Sequence, residues 1–409
     1  MEKSKKPSLK KFKKTLSWTA MNKGSRAALA RSKSIDHQLD AEREKKQREI
    51  QLLVLGGAGS GKSTFIKQLR INYGDGFPEL EREKFNHQVH DNMVNAINTV
   101  LDQMKTLQIP FDNEANKKKA AEFQERNPKI SFISLLNQLP DDEIESSKGA
   151  NCLMSTTELT KRFAYVNLKY NGLQTADIEI VLNIWEDSGV QRCYKRRAEY
   201  KGNILSNGEQ YFLENMKRVL APQYIPTLQD ILYIRRPTFG VIDHYFYIDD
   251  FAYRVIDVAG QKSQRKKWIH FFETVTSILF FVPLSEFDEY LEEDKTLNSV
   301  QDSLQTFHEV SHNQYLERTD FLLFLNKYDL FVEKLKWKRL QVCFPDYDDD
   351  NTPETCVKYI RELFHQHRPC HKHVYTHVSC ATDVSIMRDI LSKVLDIITE
   401  INLRKAGTF

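Results

Sequence analysis

The stretch Gly56-Gly57-Ala58-Gly59-Ser60-Gly61-Lys62-Ser63 decides the fold of this chain. It matches the pattern GxxxxGK[ST]. It lies between the apolar run Ile50–Leu55, which predicts a strand, and Thr64–Ile71, whose spacing predicts a helix. Glycines let successive backbone N–H groups turn toward phosphate oxygens, and the helix N-terminus adds its dipole. In such a loop Lys62 reaches the β- and γ-phosphates, and the Ser63 hydroxyl ligates Mg²⁺. The stretch predicts a nucleoside triphosphatase of the P-loop class without identifying the base.

A second motif, Asn326-Lys327-Tyr328-Asp329, follows the strand-like run Phe321–Leu325. It is expected at the carboxyl end of a sheet strand, where open α/β sheets bind ligands. The carboxylate of Asp329 can accept hydrogen bonds from the N1–H and the exocyclic amine of guanine, whereas adenine has no proton on N1. Ser379-Cys380-Ala381-Thr382 follows the last apolar run and is placed to offer backbone N–H groups to the guanine O6. These residue types are common in turns, so the motif is weak alone, but after a P-loop and a strand it predicts guanine.

The third motif, Asp257-Val258-Ala259-Gly260-Gln261, ends a predicted hairpin of the strands His244–Ile248 and Phe251–Ile256. An aspartate at this strand end can hold Mg²⁺ through a water molecule. The N–H of Gly260 can meet the γ-phosphate, and Gln261 can orient the attacking water. Taken alone, the same five residues also fit an ordinary strand end followed by a turn.

The order of the apolar segments predicts an α/β fold. Strand-like runs at Ser277–Val282, Phe321–Leu325 and Val374–Val378 alternate with helical stretches, as in a sheet with crossover helices. Residues 75–230 separate the P-loop unit from the next strands and are far longer than a crossover needs. Because this interval has helical patterns and little strand alternation, an inserted all-helical domain is predicted. The helical patterns are Val89–Leu107, Thr157–Tyr165, Ile178–Trp185 and Glu209–Leu220.

Composition excludes several classes of protein. Of the 409 residues, 41% are apolar and 28% are charged, which allows a full-sized core and excludes global disorder. The longest apolar run, near Ile278–Leu284, is far shorter than the roughly 20 residues of a membrane-spanning helix. Met1-Glu2-Lys3-Ser4 opens no signal-peptide core, and six cysteines without CxxC spacing are typical of reduced thiols. A location on the cytosolic side is expected.

The net charge of +3 hides an asymmetry along the chain. Residues 1–34 contain eleven Lys and Arg against one acidic residue, so they carry +10 and the remaining chain carries −7. Nucleic acid is not the expected partner of a mildly acidic body. Within the tail, Leu9, Phe12 and Leu16 recur at helical spacing opposite a cluster of lysines, which is the pattern of an interfacial helix on an anionic membrane surface. A solvated, disordered basic arm fits the same residues equally well.

In their order along the chain, GGAGSGKST, DVAGQ, NKYD and SCAT resemble the motifs of GTP-binding proteins of the Ras-like class. The helical insertion and four longer segments are similar to the alpha subunit of heterotrimeric G proteins. These segments are WEDSGVQ (185–191), YIPTLQD (224–230), KKWIHFFE (266–273) and FLNKYDLF (324–331). The resemblance implies a Ras-like P-loop GTPase domain (35–72 and 231–409), an inserted all-helical domain (73–230) and a basic amphipathic tail (1–34). It also implies GTP and GDP as ligands, Mg²⁺ as cofactor and GTP hydrolysis as the activity.

The resemblance also assigns residues that no pattern singles out. Arg235 falls where the family keeps an arginine that stabilises charge on the γ-phosphoryl oxygens, although from the sequence alone a solvated loop is the more common explanation. Thr238 falls where a hydroxyl completes the Mg²⁺ shell, and Arg265 and Asp302 match a pair that locks the second switch segment in the GTP state. Asp187 and Ser188 match residues of the helical domain that close over the nucleotide.

The predicted catalytic residues are Gln261, Arg235 and Lys62. The predicted metal ligands are Ser63 and Thr238, with Asp257 acting through water. The predicted nucleotide site consists of Gly56, Gly57, Ala58, Gly59, Ser60, Gly61, Lys62, Ser63, Thr64, Asp187, Ser188, Leu232, Arg235, Thr238, Asp257, Gly260, Asn326, Lys327, Asp329, Cys380, Ala381 and Thr382.

Several positions depart from the family pattern. Ala58 replaces a glycine, and its methyl group is expected to point toward the space that Gln261 and Arg235 need beside the γ-phosphate. Gly59 replaces an acidic residue that would pair with Arg235. Further departures are Phe239, Ala259, Lys262 and Gln264. Together they predict retained GTP binding with slower hydrolysis than usual for the family. The alternatives are a GTP-binding module with negligible hydrolysis and a P-loop kinase, against which the guanine motif argues.

The resemblance implies partners as well. In the GDP state an alpha subunit binds a beta-gamma dimer, and an activated seven-helix receptor grips the carboxyl-terminal helix, here residues 385–409. GTP then releases the dimer, and the effector is not identified by the sequence. Glu2 replaces the glycine needed for myristoylation and the first cysteine is Cys152, so no amino-terminal lipid site is expected. The expected location is peripheral, on the cytoplasmic face of the plasma membrane.

Overall fold

The computed structural model describes residues 31–32, 49–129, 173–200, 205–238, 240–249 and 251–405. Almost all of the predicted tail (1–34), the predicted helix Thr157–Tyr165 and Phe239 lie outside the described residues. Contacts divide the chain into two compact units, residues 1–49 and residues 50–409. The second unit contains the predicted site residues and is described below.

A six-stranded mixed sheet lies at the centre of the second unit. Its strand order is β2–β3–β1–β4–β5–β6. The strands are β1 Glu49–Gly56, β2 Val241–Ile248, β3 Phe251–Val258, β4 Ser277–Pro283, β5 Asp320–Asn326 and β6 Val374–Val378. Strands β1, β4, β5 and β6 are parallel in consecutive pairs, whereas β2 and β3 form an antiparallel hairpin.

The α-helices of the described residues fall between β1 and β2 and after β4. They are α1 Lys62–Tyr73, α2 Glu79–Glu83, α3 Asn86–Thr106, α4 Glu114–Arg126, α5 Thr175–Glu186, α6 Ser188–Lys195, α7 Asn207–Glu214, α8 Met216–Val219, α9 Leu228–Tyr233, α10 Ser299–Ser311, α11 Tyr328–Leu335, α12 Pro353–Gln366 and α13 Val384–Lys405. Short 3₁₀ segments occur at Arg197–Glu199, Lys262–Phe271, Leu284–Glu286, Gln314–Leu316 and Leu340–Val342.

Alternation of side chains along the strands produces two apolar layers, one on each face of the sheet. One layer contains Leu53 and Phe280 and packs against α10 and α12. The other contains Val54 and Phe281 and packs against α1 and α13. Because helices cover both faces, the central strands β4 and β5 are buried along their whole length and are nearly continuous apolar runs rather than alternating ones.

Helices α3 to α9 contribute to a third apolar cluster. Along α3, residues at helical spacing such as Val89, Met93 and Ile97 are fully buried in it. The cluster extends to Ile231 and Ile234, so the inner face of α9 and the chain just after it belong to the helical core. The segment that leads back to the sheet is therefore packed against the helical insertion.

The structure confirms the six predicted strands and the hairpin, with ends that shift by up to a few residues. The single predicted helix Glu209–Leu220 is wrong, because α7 and α8 are interrupted at Asn215. The Asn215 side chain donates to the Tyr211 carbonyl at 2.9 Å, and such side-chain bonds compete with the helical backbone ladder. The predicted domain boundaries stay predictions. Within the described part of the chain, none of the helices has the length and hydropathy to cross a bilayer.

Candidate nucleotide site

The carboxyl ends of the parallel strands meet at one edge of the sheet, and three of the predicted motifs begin there. Gly56 of β1 is level with Phe281 of β4, and Leu325 of β5 is level with Val378 of β6. The P-loop, the guanine motif and the segment 379–382 therefore leave the sheet from the same edge, with β4 between the strands of the first two. Such an edge is where open α/β sheets bind ligands.

A buried amide joins the P-loop to the predicted base-binding segments. Asn326 Nδ2 donates to the Ser60 carbonyl at 2.8 Å, while its Oδ1 accepts from Ser379 Oγ and from the Ala381 N–H, both at 3.1 Å. Gly61 has φ of 104°, and a Cβ there would lie 2.0 Å from Asn326 Nδ2, so only glycine fits. The amide of Asn326 is thus occupied in bracing three loops against one another.

Lys62 lies at the turn of the P-loop. Its Nζ donates to the carbonyls of Gly56 at 2.9 Å and Gly57 at 2.7 Å. Burial lowers the pKa of Lys62 to about 8, an effect that the nearby Asp257 carboxylate partly opposes. Gly260 packs directly on this turn, because a Cβ there would lie 2.5 Å from both Lys62 Nζ and the Gly56 oxygen. The P-loop and the third motif therefore share one tight contact that requires glycine.

Three of the predicted magnesium-site residues converge. Ser63 Oγ and Thr238 Oγ1 are 2.7 Å apart, and they donate to Asp257 Oδ2 at 3.2 and 3.3 Å. Asp257 Oδ1 is buried and has no hydrogen-bond partner among the described residues. Burial raises the pKa of Asp257 to about 6, although Lys62 opposes that shift. Oxygen donors of this kind are those that Mg²⁺ prefers, so the residues fit the predicted metal.

Two side chains of the 3₁₀ segment Lys262–Phe271 hold the third motif in place. Arg265 forms a bidentate pair with Asp302 at 3.0 and 2.6 Å, and its Nε donates to the Gly260 carbonyl at 3.2 Å. Trp268 Nε1 donates to the Ala259 carbonyl at 3.0 Å. Gln261 follows as a half-buried residue at the start of the 3₁₀ segment Lys262–Phe271. The predicted Arg265–Asp302 pair is formed. Trp268 fixes the Ala259–Gly260 peptide, whose N–H would meet a γ-phosphate, and Arg265 fixes the next peptide along the chain.

Arg235 lies beside the P-loop with a half-exposed side chain. Its Nη2 is 3.5 Å from Glu292 Oε1, and a Cβ at Gly59 would lie 4.0 Å from the same nitrogen. The guanidinium is therefore next to Gly59, which has no side chain to pair with it. Its backbone is bonded to Asn92 of α3.

A cavity of about 400 Å³ lies next to the guanine motif. It brings together three predicted base-binding residues, Asp329, Cys380 and Thr382, from the ends of two neighbouring strands. Gln229 of α9 donates from Nε2 to the Thr382 carbonyl at 3.0 Å, so α9 closes one side of the cavity. The residues that line the cavity are Gln229, Tyr233, Tyr328, Asp329, Cys380, Thr382, Asp383, Val384 and Ile386.

Lys327 adopts a left-handed conformation with φ of 61°, which turns its side chain away from the course of α11. Its Nζ donates to Glu286 Oε1 at 2.7 Å, and Glu286 Oε2 accepts from Ser299 Oγ at 2.6 Å. Although burial opposes ionisation, Lys327 holds the pKa of Glu286 below its usual value. A Cβ at Gly59 would lie 3.8 Å from Glu286 Oε1, so the carboxylate that binds the guanine motif also lies close to the P-loop.

Asp187 and Ser188 are engaged within the helical part. Asp187 caps α6 through the Gly189 N–H at 2.9 Å and also accepts from Asn116 Nδ2 at 3.1 Å. Burial raises the pKa of Asp187, but these and two further hydrogen bonds bring it below the usual value. Ser188 donates to Asp112. Their predicted closure over the nucleotide stays a prediction.

The remaining predicted residues occupy different surroundings. The Leu232 side chain is almost fully buried in α9, and Thr64 is half-buried in the first turn of α1. Ser60 is buried, and its Oγ donates to the Gly57 carbonyl at 2.9 Å, which stabilises the loop. Ala58 is exposed at the outer turn of the P-loop.

Four residues of this region were not predicted from the sequence. Gln229 and Tyr233 line the cavity, Glu286 pairs with Lys327, and Asn92 bonds the backbone of Arg235. Gln229 lies within the family-like segment YIPTLQD, which is a signal that could have led to it. The other three have no local pattern, since their partners are distant in the sequence.

The chain belongs to the G-protein alpha subunit family. The sequence model of that family matches residues 29–398. A protein of Caenorhabditis briggsae described as the guanine nucleotide-binding protein alpha-4 subunit is 34% identical over 386 residues, which cover 93% of this chain and 97% of that relative.

Membership establishes the general activity. The chain is a guanine-nucleotide-binding alpha subunit, and members of its family are GTPases that bind GTP and GDP, generally with Mg²⁺. Members of the family associate with beta-gamma dimers and receptors. These findings do not favour the alternative of a module with negligible hydrolysis.

Proposed function

We propose that this chain switches between GDP and GTP at the edge of its sheet, with the phosphates at the P-loop and the guanine in the cavity beside Asp329. The observation that carries the proposal is the bracing by Asn326. One buried amide bonds the P-loop, the Ser379 side chain and the Ala381 N–H. The loop suited to phosphate and the segments suited to guanine are therefore parts of one site with fixed spacing.

Each side chain then has a separate task in hydrolysis. Lys62 binds β- and γ-phosphate oxygens, Gln261 orients the attacking water, and Arg235 stabilises the negative charge that develops on the γ-phosphoryl group. Ser63, Thr238 and Asp257 would hold Mg²⁺, with Asp257 acting through water. The ion supplies positive charge at the phosphate oxygens.

The switch depends on Thr238 and Gly260, which belong to different segments and both lie at the P-loop. In the GTP state the Gly260 N–H would bind the γ-phosphate and the Thr238 hydroxyl would bind the Mg²⁺ beside it, and loss of the γ-phosphate removes this shared anchor. Gly260 is held by Arg265, which in turn is paired with the buried Asp302. A change at the phosphate is thereby transmitted to the 3₁₀ segment Lys262–Phe271, and release of the beta-gamma dimer follows.

Binding and hydrolysis measured on the same preparation test this proposal. Stoichiometric uptake of GTPγS together with release of phosphate from GTP supports a switch. Uptake of GTPγS without phosphate release would instead identify an inert binder. Phosphate transfer to a small acceptor in place of water would identify a kinase.

The exposed Ala58 provides a prediction about rate. Ala58→Gly removes a methyl group from the exposed outer turn of the P-loop, which we expect beside the γ-phosphate. Single-turnover GTP hydrolysis is therefore expected to become faster, by up to about tenfold if the methyl costs about 1.4 kcal/mol in the transition state. GTPγS affinity is expected to stay the same, which serves as the control. A variant no faster than the wild type refutes slowed hydrolysis by this methyl group.

Two attachments complete the proposal. The carboxyl-terminal part of α13 is proposed to bind the receptor, and residues 1–34 are proposed to bind an anionic membrane surface. Support for the second comes from the +10 charge of this segment and from the helical spacing of Leu9, Phe12 and Leu16. Together they would keep the protein peripheral, on the cytoplasmic face of the plasma membrane.

Removal of the tail tests the membrane proposal. A chain that starts at residue 35 is expected to co-sediment less with anionic vesicles than the full chain, since each basic residue near such a surface contributes about 1 kcal/mol. Vesicles of neutral lipid provide the control, because the charge-dependent difference should disappear there. Equal binding of both chains to anionic vesicles would show that the tail has no such role.

A further inference from the structure

The backbone of Arg235 is bonded to a side chain of the helical insertion. Asn92 Oδ1 accepts from the Arg235 N–H at 3.0 Å, and Asn92 Nδ2 donates to the Arg235 carbonyl at 3.2 Å. The same Nδ2 donates to the Gln88 carbonyl one turn earlier in α3 at 2.8 Å. Asn92 is 6% exposed. One buried amide thus pairs both backbone groups of a residue 143 positions away.

The chain just before Arg235 is fixed as well. Lys67 of α1 donates from Nζ to the carbonyls of Ile231 at 2.8 Å and Ile234 at 3.1 Å. A Cβ on Gly208 of α7 would lie 2.2 Å from the Tyr233 oxygen. These contacts fix the backbone of residues 231–234, and Asn92 fixes the backbone of Arg235. The backbone position of Arg235 is therefore set jointly by the P-loop helix and the helical insertion.

The side chain of Arg235 is held much less firmly than its backbone. Its contact with Glu292 is 3.5 Å long, and the two side chains are 50% and 70% exposed. Exposed ion pairs of this kind contribute little to holding a side chain in place. Gly59 offers no carboxylate at the adjacent P-loop position. Placement of the guanidinium beside the phosphate thus depends strongly on the position of the Arg235 backbone.

We infer that Asn92 is a positioning residue for GTP hydrolysis, which acts by holding the backbone of Arg235 within reach of the γ-phosphate. The inference rests on the proposed role of Arg235. On this inference the helical insertion affects the rate of GTP hydrolysis through Asn92. This role is separate from the proposed closure of the insertion over the nucleotide. Asn92 itself does not touch the reacting atoms in this account.

Asn92→Ala is expected to lower the single-turnover rate of GTP hydrolysis by about 10- to 100-fold, because small displacements of a catalytic group have effects of this size. GTPγS affinity is expected to be unchanged, since the P-loop and the base-binding segments do not bond Asn92. Asn92→Leu, which keeps a similar volume in the buried site, is a second variant in case the alanine leaves a cavity that destabilises α3.

Asn98→Ala is the matched control. Asn98 lies on the same helix and is 2% exposed, and its Nδ2 donates to the Asn127 carbonyl at 2.7 Å, within the helical part. Its loss removes a comparable buried hydrogen bond that does not involve Arg235. A general weakening of the helical core would therefore slow Asn98→Ala and Asn92→Ala alike.

A double-mutant cycle with Arg235→Ala decides the matter. If Asn92 acts through the guanidinium, Asn92→Ala slows the wild type but has little further effect in the Arg235→Ala background, and Asn98→Ala is neutral in both. The inference is overturned if Asn92→Ala and Asn92→Leu hydrolyse GTP at the wild-type rate, or if the loss is as large without Arg235. A full rate in Arg235→Ala alone would instead remove the proposed role of Arg235, so the two failures are distinguishable.

Discussion

Replacement of Arg235 by alanine is expected to lower the single-turnover rate of GTP hydrolysis by about 10³- to 10⁵-fold, the established worth of an arginine supplied to the γ-phosphate in this class of GTPase. The affinity for GTPγS is expected to change by no more than a few fold. The two measurements therefore separate a loss in the transition state from a loss of ground-state binding.

The structural reason is the position of the guanidinium. It lies beside the outer turn of the P-loop, 4.0 Å from where a Cβ of Gly59 would be, with its backbone bonded to Asn92. A delocalised cation at that place is suited to the charge that spreads over the equatorial oxygens of the transferred group. Because the side chain is half-exposed, its removal leaves the surrounding core intact.

Glu292→Gln is the control for Arg235→Ala. It removes the carboxylate that contacts Arg235 at 3.5 Å but leaves the guanidinium in place. Hydrolysis by this variant is expected to remain within a few fold of the wild-type rate, since the pair is exposed. If Arg235→Ala also hydrolyses GTP at nearly the wild-type rate, Arg235 is not the residue that stabilises the transition state.

Replacement of Asp329 by asparagine is expected to weaken GTP binding by about 10²- to 10⁴-fold, because two charge-assisted hydrogen bonds to the guanine edge are worth roughly 1.5–3 kcal/mol each. Xanthosine triphosphate should gain affinity in the same variant. Its C2 carbonyl can accept from the new amide, whereas the C2 amine of guanine cannot. Competition of the two nucleotides against labelled GTPγS measures both changes.

Asp383→Asn is the matched control, since Asp383 lines the same cavity. Its carboxylate is used at the start of α13, where it accepts from the N–H groups of Ser385 at 2.9 Å and Ile386 at 3.0 Å. Asparagine can also cap a helix, so this change should leave nucleotide preference unaltered. An Asp329→Asn variant that keeps the wild-type preference for GTP would place the guanine elsewhere.

Local patterns in the sequence were sufficient for the sheet and for the loops at its edge. Gly61 and Lys62 lie in the P-loop that follows β1, and Asp257 lies near the end of β3. The ends of parallel strands lie at one edge of the sheet. Geometry of this kind depends on residues that are close in the sequence, which is why the six strands and the loops at their ends can be predicted from local patterns.

The bracing contacts could not be predicted in the same way. Asn326 was assigned to the nucleotide, yet its amide bonds Ser60 and Ala381 of two other loops. Asn92 meets Arg235 across 143 positions, and Glu286 meets Lys327 across 41. Pairs so distant are set by packing of the helical insertion and the sheet, and a single polar residue in a helix or turn carries no signal of its partner.

Displacement of bound nucleotide tests whether one pocket recognises guanine through Asp329 while the P-loop holds the phosphates. The protein is loaded with labelled GTPγS and Mg²⁺, and an excess of unlabelled GTP, GDP or ATP is added. GTP and GDP are expected to displace the label, whereas ATP at the same concentration is expected to leave it bound. Displacement by ATP as effective as by GTP, or failure to take up the label at all, would contradict guanine recognition by this pocket.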